Sequence, residues 1–325
     1  MYEKIIVPLD GSELATVALP YAEELSSSMG CNITLIYVGV PTDHHSDHIY
    51  RSYISQMAQN TKEFAKKYVK KLENYPTINV ESKFLFGDPA EEIINYAEKI
   101  DAHLIIMATH GQSGLKRWAM GSTANKVIRA SRQPVWLIRG KRDNSDMREK
   151  GILGKALVPL DGSKESEAVI PFIVELASKL KAEIVLLHVL SLGHHAMAIC
   201  GEGYEYFYFN EQQLASDKTT ANRYLEKVVT QLKQRGVSAK SQVKFGNVAE
   251  EIIQVAADMQ ADVIAMSTHG RSGIGRWIFG SVAEKILYEG NTPLLLVRSS
   301  GANIEFSNQY QDGSKKRLPL SLSVF

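Results

Sequence analysis

Two glycine-bearing segments carry the residue types that bind an anion through the backbone. In the first, the letters ATHG at 108–111 are followed after nine residues by Gly121 and Ser122. In the second, STHG at 267–270 is followed after the same interval by Gly280 and Ser281. Glycine has no Cβ, so backbone N–H groups can approach a phosphate, and a helix that begins at the serine adds its free N–H groups and its dipole. The pattern therefore predicts a phosphate-binding loop in each segment.

A structural role is the alternative for the same residues. Ser281 and Glu284 have the spacing of a capping box, and Ser122 fits an ordinary N-cap. Asp10 and Asp161 each stand in an Asp-Gly-Ser run after an apolar stretch, which is good chemistry for a turn. The residue types and their spacing leave both interpretations open.

The chain contains the same unit twice. The letters VPLDGS occur at 7–12 and again at 158–163, an offset of 151. Segments 108–128 and 267–287 are identical at 11 of 21 positions, at an offset of 159. The larger offset means that the second copy holds extra residues, which lie in the segment containing the aromatic run 204–209. We predict four parts: a first domain at 1–140, a linker at 141–154 that is polar and solvated, a second domain at 155–299 and a tail at 300–325.

In each copy, short apolar runs alternate with helical patterns. Runs at 4–9, 33–38, 80–86, 102–107 and 134–139 predict strands in the first copy. The alternation predicts an α/β fold with two repeated five-stranded, mostly parallel sheets and helices on both faces. Pro20 and Pro171 fall inside the first helix of their copies, where we expect a kink. Open sheets of this kind bind ligands beyond the carboxyl ends of the strands at the switch point, which selects the loops after strands one and four.

Both copies resemble the universal stress protein family, over about 2–140 and 155–298. That family has G-x2-G-x9-G-[ST] after its fourth strand and an aspartate after its first. The copies match except at the first glycine, which is Ala108 in one and Ser267 in the other. Both replacements are small, so they hinder close backbone approach without excluding it. The resemblance implies a Rossmann-like fold of the adenine nucleotide alpha hydrolase type that holds ATP, with AMP or ADP as alternatives and Mg²⁺ as a companion ion.

The resemblance also implies roles for individual residues in each copy. An aspartate holds the adenosine end, a valine at the end of the second strand contacts adenine, and a methionine of the fourth strand packs beside the nucleotide. In the first copy the predicted nucleotide-binding residues are Pro8, Asp10, Val38, Met107, Ala108, Gly111, Gly121, Ser122 and Thr123. In the second copy they are Pro159, Asp161, Val189, Met266, Ser267, Gly270, Gly280, Ser281 and Val282.

Three functions follow as hypotheses. The first is a binding and signalling module, in which an adenine nucleotide alters shape or partner choice under stress. Its two copies pack as an intramolecular pseudo-dimer with 134–139 and 293–298 at or near the contact, and two such chains can pair into a homodimer. The second is a slow ATPase with His110 and His269 as general bases, although the sequence offers no water-positioning base, so we predict no catalytic residue. The third is a nucleotide-free scaffold, which Ala108 and Ser267 support best.

Net charge, hydrophobicity and the cysteine and histidine content argue against several other classes of protein. A formal net charge of +1 gives no bulk attraction to nucleic acid or anionic membrane, and no apolar run has the length of a membrane span. The first residues lack the pattern of a signal peptide, and the two cysteines do not make a disulfide framework, so we expect a cytoplasmic protein. His44, His45 and His48 lie close together, but nothing completes a ligand set, and we predict no metal site.

Overall fold

The computed structural model describes residues 2–39, 47–69, 77–109, 120–139, 151–191, 196–201, 204–209, 211–268 and 279–299. The strands in these ranges are β1 (Lys4–Pro8), β2 (Asn32–Gly39), β3 (Val80–Phe86), β4 (Leu104–Ala108), β5 (Val135–Ile138), β6 (Lys155–Pro159), β7 (Glu183–Leu190), β8 (Ala196–Gly201), β9 (Tyr204–Phe209), β10 (Ala239–Phe245), β11 (Val263–Ser267) and β12 (Leu294–Val297).

A short 3-10 helix (Glu13–Ala18) and nine α-helices complete the described chain. The α-helices are α1 (Leu19–Met29), α2 (Asp47–Val69), α3 (Pro89–Lys99), α4 (Ser122–Ala130), α5 (Lys164–Glu167), α6 (Ile170–Leu180), α7 (Glu211–Gln234), α8 (Val248–Asp258) and α9 (Ser281–Glu289). Among the described helices, none is long and apolar enough to cross a membrane.

The two repeats join in one ten-stranded sheet. Its strand order is β10-β7-β6-β11-β12-β5-β4-β1-β2-β3. Within each half the five strands run parallel, as the apolar runs predict. At the centre, β5 and β12 pair antiparallel, with Leu295 opposite Trp136. The final strands, which the sequence analysis places at or near the contact between the copies, therefore pair with each other directly.

Helices cover both faces of this sheet, and each face has one core that extends through both halves. On one face α1, α2, α6 and α7 pack on side chains such as Trp136 and Leu295. On the other face α3, α4, α8 and α9 pack on side chains such as Leu137 and Leu294. Because strands are buried on both faces, they need the continuous apolar runs that the sequence has.

The expected proline kinks are wrong. In the first half a 3-10 helix capped by Ser12 ends at Ala18, and α1 begins at Leu19, so Pro20 lies in its first turn. In the second half α5 ends before α6 begins at Ile170, which places Pro171 in the same position. The first turn of a helix tolerates proline because its missing N–H would have no intrahelical partner there.

The extra residues of the second half form an element that the repeat did not predict. Strands β8 and β9 pair antiparallel, with Ala196 opposite Phe209, and they form a two-stranded sheet of their own. The aromatic run 204–209 is thus a strand, and α7 follows it at Glu211.

The end of the predicted linker is packed, not solvated. Ile152 and Leu153 are buried in the core that contains α1 and α6. The Ile152 N–H donates to Glu24 Oε2 of α1 at 2.9 Å. The N–H groups of Gly154 and Lys155 donate to Asp262 Oδ2 at 2.8 and 2.9 Å. Two carboxylates therefore hold the chain where it enters the second half.

This arrangement predicts a pH dependence of stability. Burial raises the pKa of Glu24 from 4.5 to about 7, the Ile152 N–H partly offsets this, and the Asp262 carboxylate adds to it. Because the folded state holds the proton to higher pH, the contribution to stability is complete below pH 4.5 and is lost as the pH rises through about 7. We expect Glu24→Gln, which is neutral throughout, to remove that decline from thermal unfolding midpoints measured across this window.

The matched control is Glu13→Gln, because Glu13 is exposed on the preceding 3-10 helix. It should follow the wild-type curve. A Glu24→Gln curve that falls as steeply as the wild type would contradict the assignment.

Candidate functional site

The predicted site residues meet at the carboxyl ends of neighbouring strands. β1 lies between β2 and β4, with Ile5 opposite Leu104 in β4 and Pro8 opposite Ile36 in β2. In the second half β6 lies in the same way between β7 and β11. The carboxyl ends of β1 and β4, and those of β6 and β11, are therefore brought together at the two switch points.

The two aspartates take part in the turn that the sequence analysis proposed as the structural alternative. Asp10 Oδ1 accepts hydrogen bonds from the Ser12 N–H at 3.0 Å and the Ser12 hydroxyl at 2.6 Å. Asp161 Oδ1 accepts from the Ser163 N–H at 2.9 Å and the Ser163 hydroxyl at 2.5 Å. Each serine then caps the short helix that follows. The turn role is therefore observed for both aspartates.

An aromatic cluster stands beside Asp10 in the first half. The ring of Tyr37 stacks on Tyr50 at 4.6 Å and on Phe84 at 5.5 Å between centroids, and the Arg51 guanidinium lies 4.4 Å from the centre of Phe84. Burial raises the pKa of Tyr37, and Tyr50 adds to the shift. The Leu9 N–H donates to Ile36 O at 2.8 Å, which joins the residue before Asp10 to the residue before Tyr37. The aromatic cluster consists of Tyr37, Tyr50, Tyr53, Phe84 and Phe86.

The second half has different side chains at the positions that correspond to the aromatic cluster. His188 stands at the repeat position of Tyr37, and Val243 stands at that of Phe84. His188 is buried and meets the ring of Tyr224 edge to face at 6.4 Å. The Tyr224 hydroxyl donates to Glu167 Oε1 at 2.8 Å. The two sites therefore share their backbone plan but differ in the side chains beside the aspartate, a difference that the motif search missed.

The remaining predicted strand residues are buried or half-buried. Pro8 and Pro159 end β1 and β6 and are half-buried. Met107 and Met266 are buried in the core that contains α4 and α9. Val38 and Val189 are half-buried against that core, Ala108 is half-buried, and Ser267 is buried.

The N-caps of α4 and α9, the helices that follow β4 and β11, are not the serines considered in the sequence analysis. Gly121 and Gly280 are the N-caps, and among the described residues no side chain caps either helix. Ser122 and Ser281 are exposed at the first helical position, with Thr123 and Val282 half-buried behind them. Glu284 binds Arg129 Nη2 at 2.7 Å instead of completing a capping box. The N-cap assignment of Ser122 and the capping box of Ser281 with Glu284 are therefore wrong.

Both glycines have backbone angles that any residue adopts. Gly121 has φ −59° and ψ 143°, and Gly280 has φ −61° and ψ 140°. The Gly121 N–H donates to Thr109 O at 2.8 Å, and the Gly280 N–H donates to Thr268 O at 2.9 Å, which ties each helix start to the end of its strand. The backbone does not require a glycine at these positions, whereas close approach of a ligand does.

Part of the predicted site lies outside the described residues. Gly111 and Gly270 belong to segments 110–119 and 269–278, as do His110 and His269. His44 and His45 also lie outside the described ranges. Within those ranges, no group of three His, Cys, Asp or Glu side chains is placed to hold a metal ion.

Comparison with known proteins covers both halves. The profile of the Universal stress protein family matches residues 1–139 and 153–298. Universal stress protein MJ0531 of Methanocaldococcus jannaschii is 32% identical over 146 residues, which are 43% of this chain and 83% of that protein. Universal stress protein Slr1230 of Synechocystis is 23% identical over 320 residues, which are 91% of this chain and 100% of that protein.

Solved structures agree on the fold. A universal stress protein from Archaeoglobus fulgidus aligns with a TM-score of 0.64 at 20% identity, over 92% of this chain and 100% of that one. A structure from Pseudomonas aeruginosa, PA1789, aligns with a TM-score of 0.65 at 18% identity, over 91% and 92% of the two chains. The resemblance that the motifs indicate is thus confirmed, together with the α/β fold.

The position of the Phe84 ring in the aromatic cluster depends on the absence of a side chain at Gly39. A Cβ at residue 39 would lie 2.8 Å from Phe84 Cζ, so the stacked ring would have to move. We expect Gly39→Ala to lower the free energy of unfolding by about 1–3 kcal/mol, the usual cost of overpacking. In a Phe84→Val background the same change should cost less by at least about 0.5 kcal/mol. Urea unfolding of the wild type, the two single variants and the double variant measures this coupling, and equal costs in both backgrounds would refute it.

Proposed function

The chain belongs to the universal stress protein family, and from this membership we propose that each half binds an adenine nucleotide, with ATP as the first candidate and ADP or AMP as alternatives. The protein then acts as a nucleotide-dependent binding module in stress response rather than as an enzyme. The two halves form an intramolecular pseudo-dimer around β5 and β12, and two chains can pair further. The proposed setting is the cytoplasm, where adenine nucleotides are abundant.

The loop after the first strand of each half supplies the adenosine end in this proposal. A carboxylate at the switch point can accept hydrogen bonds from ribose hydroxyls, and Asp10 and Asp161 stand there. In the first half the neighbouring wall is the aromatic cluster, and in the second it contains His188. Val38 and Val189 contact the base.

The glycine N-caps of α4 and α9 supply the phosphate end, and they are the observation that carries the proposal. Each helix begins at the carboxyl end of its sheet strands without a side-chain cap among the described residues. The first-turn N–H groups and the positive end of the helix dipole can therefore face an anion. Mg²⁺ arrives bound to the triphosphate and is held there by phosphate oxygens.

The test substitutes the two N-cap glycines so that a phosphate can no longer approach the backbone closely, while the backbone angles stay allowed. Valine can adopt the angles of Gly121 and Gly280, but its side chain occupies the space that a phosphate needs. We expect Gly121→Val and Gly280→Val each to abolish one of two Mg-ATP sites, or to weaken it at least tenfold, about 1.4 kcal/mol, in calorimetric titrations. Mass spectrometry of ligand released from freshly purified protein identifies which nucleotide the wild type carries.

Gly154→Val is the matched control. Gly154 precedes β6 at the opposite edge of its sheet half, and a Cβ there meets only Asp262 Oδ2, at 3.4 Å. This variant should bind nucleotide like the wild type. Wild-type protein that releases no adenine nucleotide and gives no heat with Mg-ATP would instead establish the nucleotide-free scaffold.

A further inference from the structure

Arg139, the residue that follows β5, is a half-buried cation, and one edge of its guanidinium has no hydrogen-bond partner in the structure described. Its Nη1 donates to the carbonyl oxygen of Gly290, just beyond the end of α9. Its Nε and Nη2 are both buried and have no hydrogen-bond partner in the structure described. Burial lowers the pKa of Arg139 from 12.5 to about 10. A guanidinium in this state indicates a missing acceptor, because unsatisfied buried charge is costly.

The unused edge has the geometry of an anion-binding fork. Nε and Nη2 lie on one side of the planar guanidinium, and their N–H bonds point in nearly the same direction. Such an edge binds carboxylate or phosphate oxygens in pairs, through two parallel charge-assisted hydrogen bonds. The chemistry expected at Arg139 is therefore that of a tetrahedral or planar oxyanion.

Arg139 lies at the same sheet edge as the glycine N-cap of α4. The Thr109 N–H donates to Ile138 O at 3.0 Å, and the Gly121 N–H donates to Thr109 O at 2.8 Å. The residue after Ile138 is thus joined to the start of α4 through Thr109 alone. Three segments of the first half meet at this point: the end of β5, the end of β4 and the beginning of α4.

Arg139 also lies on the same face of the sheet as α4. Val135 and Leu137 of β5 pack in the core that contains Ala124 and Val127 of α4. Alternate residues of a strand share a face, so residue 139 continues this series. Its hydrogen bond to Gly290, next to α9 on that same face, agrees with this direction.

The repeat position in the second half has a different environment. Arg298 donates through Nη2 to Arg129 O at 2.8 Å, at the end of α4. In the part of the chain that the structure describes, no side-chain nitrogen of Arg298 is both buried and without a hydrogen-bond partner. The unused fork is therefore a property of the first half.

We propose that Arg139 binds a phosphate group, the outermost phosphate of the nucleotide held by the first half, together with the first-turn N–H groups of α4. This inference rests on the proposed function and adds a residue that the family motif does not contain. It makes the first site sensitive to the number of phosphates, because adenosine and AMP do not extend to the arginine as ATP does. The second half, whose Arg298 is engaged through Nη2, is expected to discriminate less.

The experiment uses the full chain with Gly280→Val, so that the first half is the site observed. Calorimetric titrations with Mg-ATP, AMP, adenosine and inorganic phosphate compare Arg139 with Arg139→Gln and Arg139→Lys. We expect Arg139→Gln to weaken Mg-ATP binding at least about tenfold and to leave adenosine within about twofold. Arg139→Lys, which keeps the charge but loses the fork, should give an intermediate loss for Mg-ATP.

Arg132→Gln is the matched control, because its side chain is 82% exposed and the variant removes the same charge. It should bind all four probes like the parent protein. Unchanged Mg-ATP affinity in Arg139→Gln, or an equal loss for adenosine, would overturn the proposal. If Arg139→Gln does not fold, the ratio of Mg-ATP to adenosine affinity in Arg139→Lys decides the matter in the same way.

The titration with inorganic phosphate distinguishes a failure of this inference from a failure of the proposed function. Wild-type protein that takes up no adenine nucleotide in either half refutes the proposed function, and inorganic phosphate then tests Arg139 alone. Phosphate binding that Arg139→Gln abolishes supports the anion site with free phosphate as its source. Inorganic phosphate that does not bind to that wild type, or binds independently of Arg139, refutes the site.

Discussion

The antiparallel pairing of β5 with β12 holds the two halves in one molecule. An exposed strand edge presents unpaired N–H and C=O groups, and this pairing covers the inner edge of both five-stranded units at once. Trp136, opposite Leu295, is fully buried and packs edge to face on Tyr21 at 5.1 Å. The pairing also brings the last helices together. Arg129 near the end of α4 forms an ion pair with Glu284 near the start of α9. Arg139 after β5 and Arg298 after β12 each donate to a carbonyl oxygen at or just past the end of the opposite half's last helix. A cation is favourable there because the helix dipole is negative at its carboxyl end.

Duplication within one chain allows this contact to become asymmetric. In a homodimer, any substitution appears on both sides of the twofold axis, whereas here each side changes independently. The repeat positions of Arg129 and Glu284 are Tyr288 and Asn125, so the ion pair occurs once. The same independence explains why one switch point has an aromatic cluster and the other has His188. The family fold is kept while the chemistry beside each aspartate diverges.

The sequence predicted those features that depend on local patterns. Apolar runs identified the ten strands of the large sheet. Pro20 was misplaced because helical periodicity does not show where a 3-10 turn gives way to an α-helix. The capping alternative for Ser281 is wrong because the sequence does not show which of the adjacent glycine and serine is the N-cap. Arg139 could not have been recognised, since its partner Gly290 is 151 residues away and belongs to the other half.

The direction of the strands has a consequence for access. The five strands that each half contributes to the large sheet point opposite to the five of the other half, because the two units meet in a single antiparallel pair. The carboxyl ends of the two five-stranded units, where we propose the nucleotide sites, therefore face opposite rims of the sheet. If both halves bind nucleotide as proposed, a partner that covers one site leaves the other uncovered.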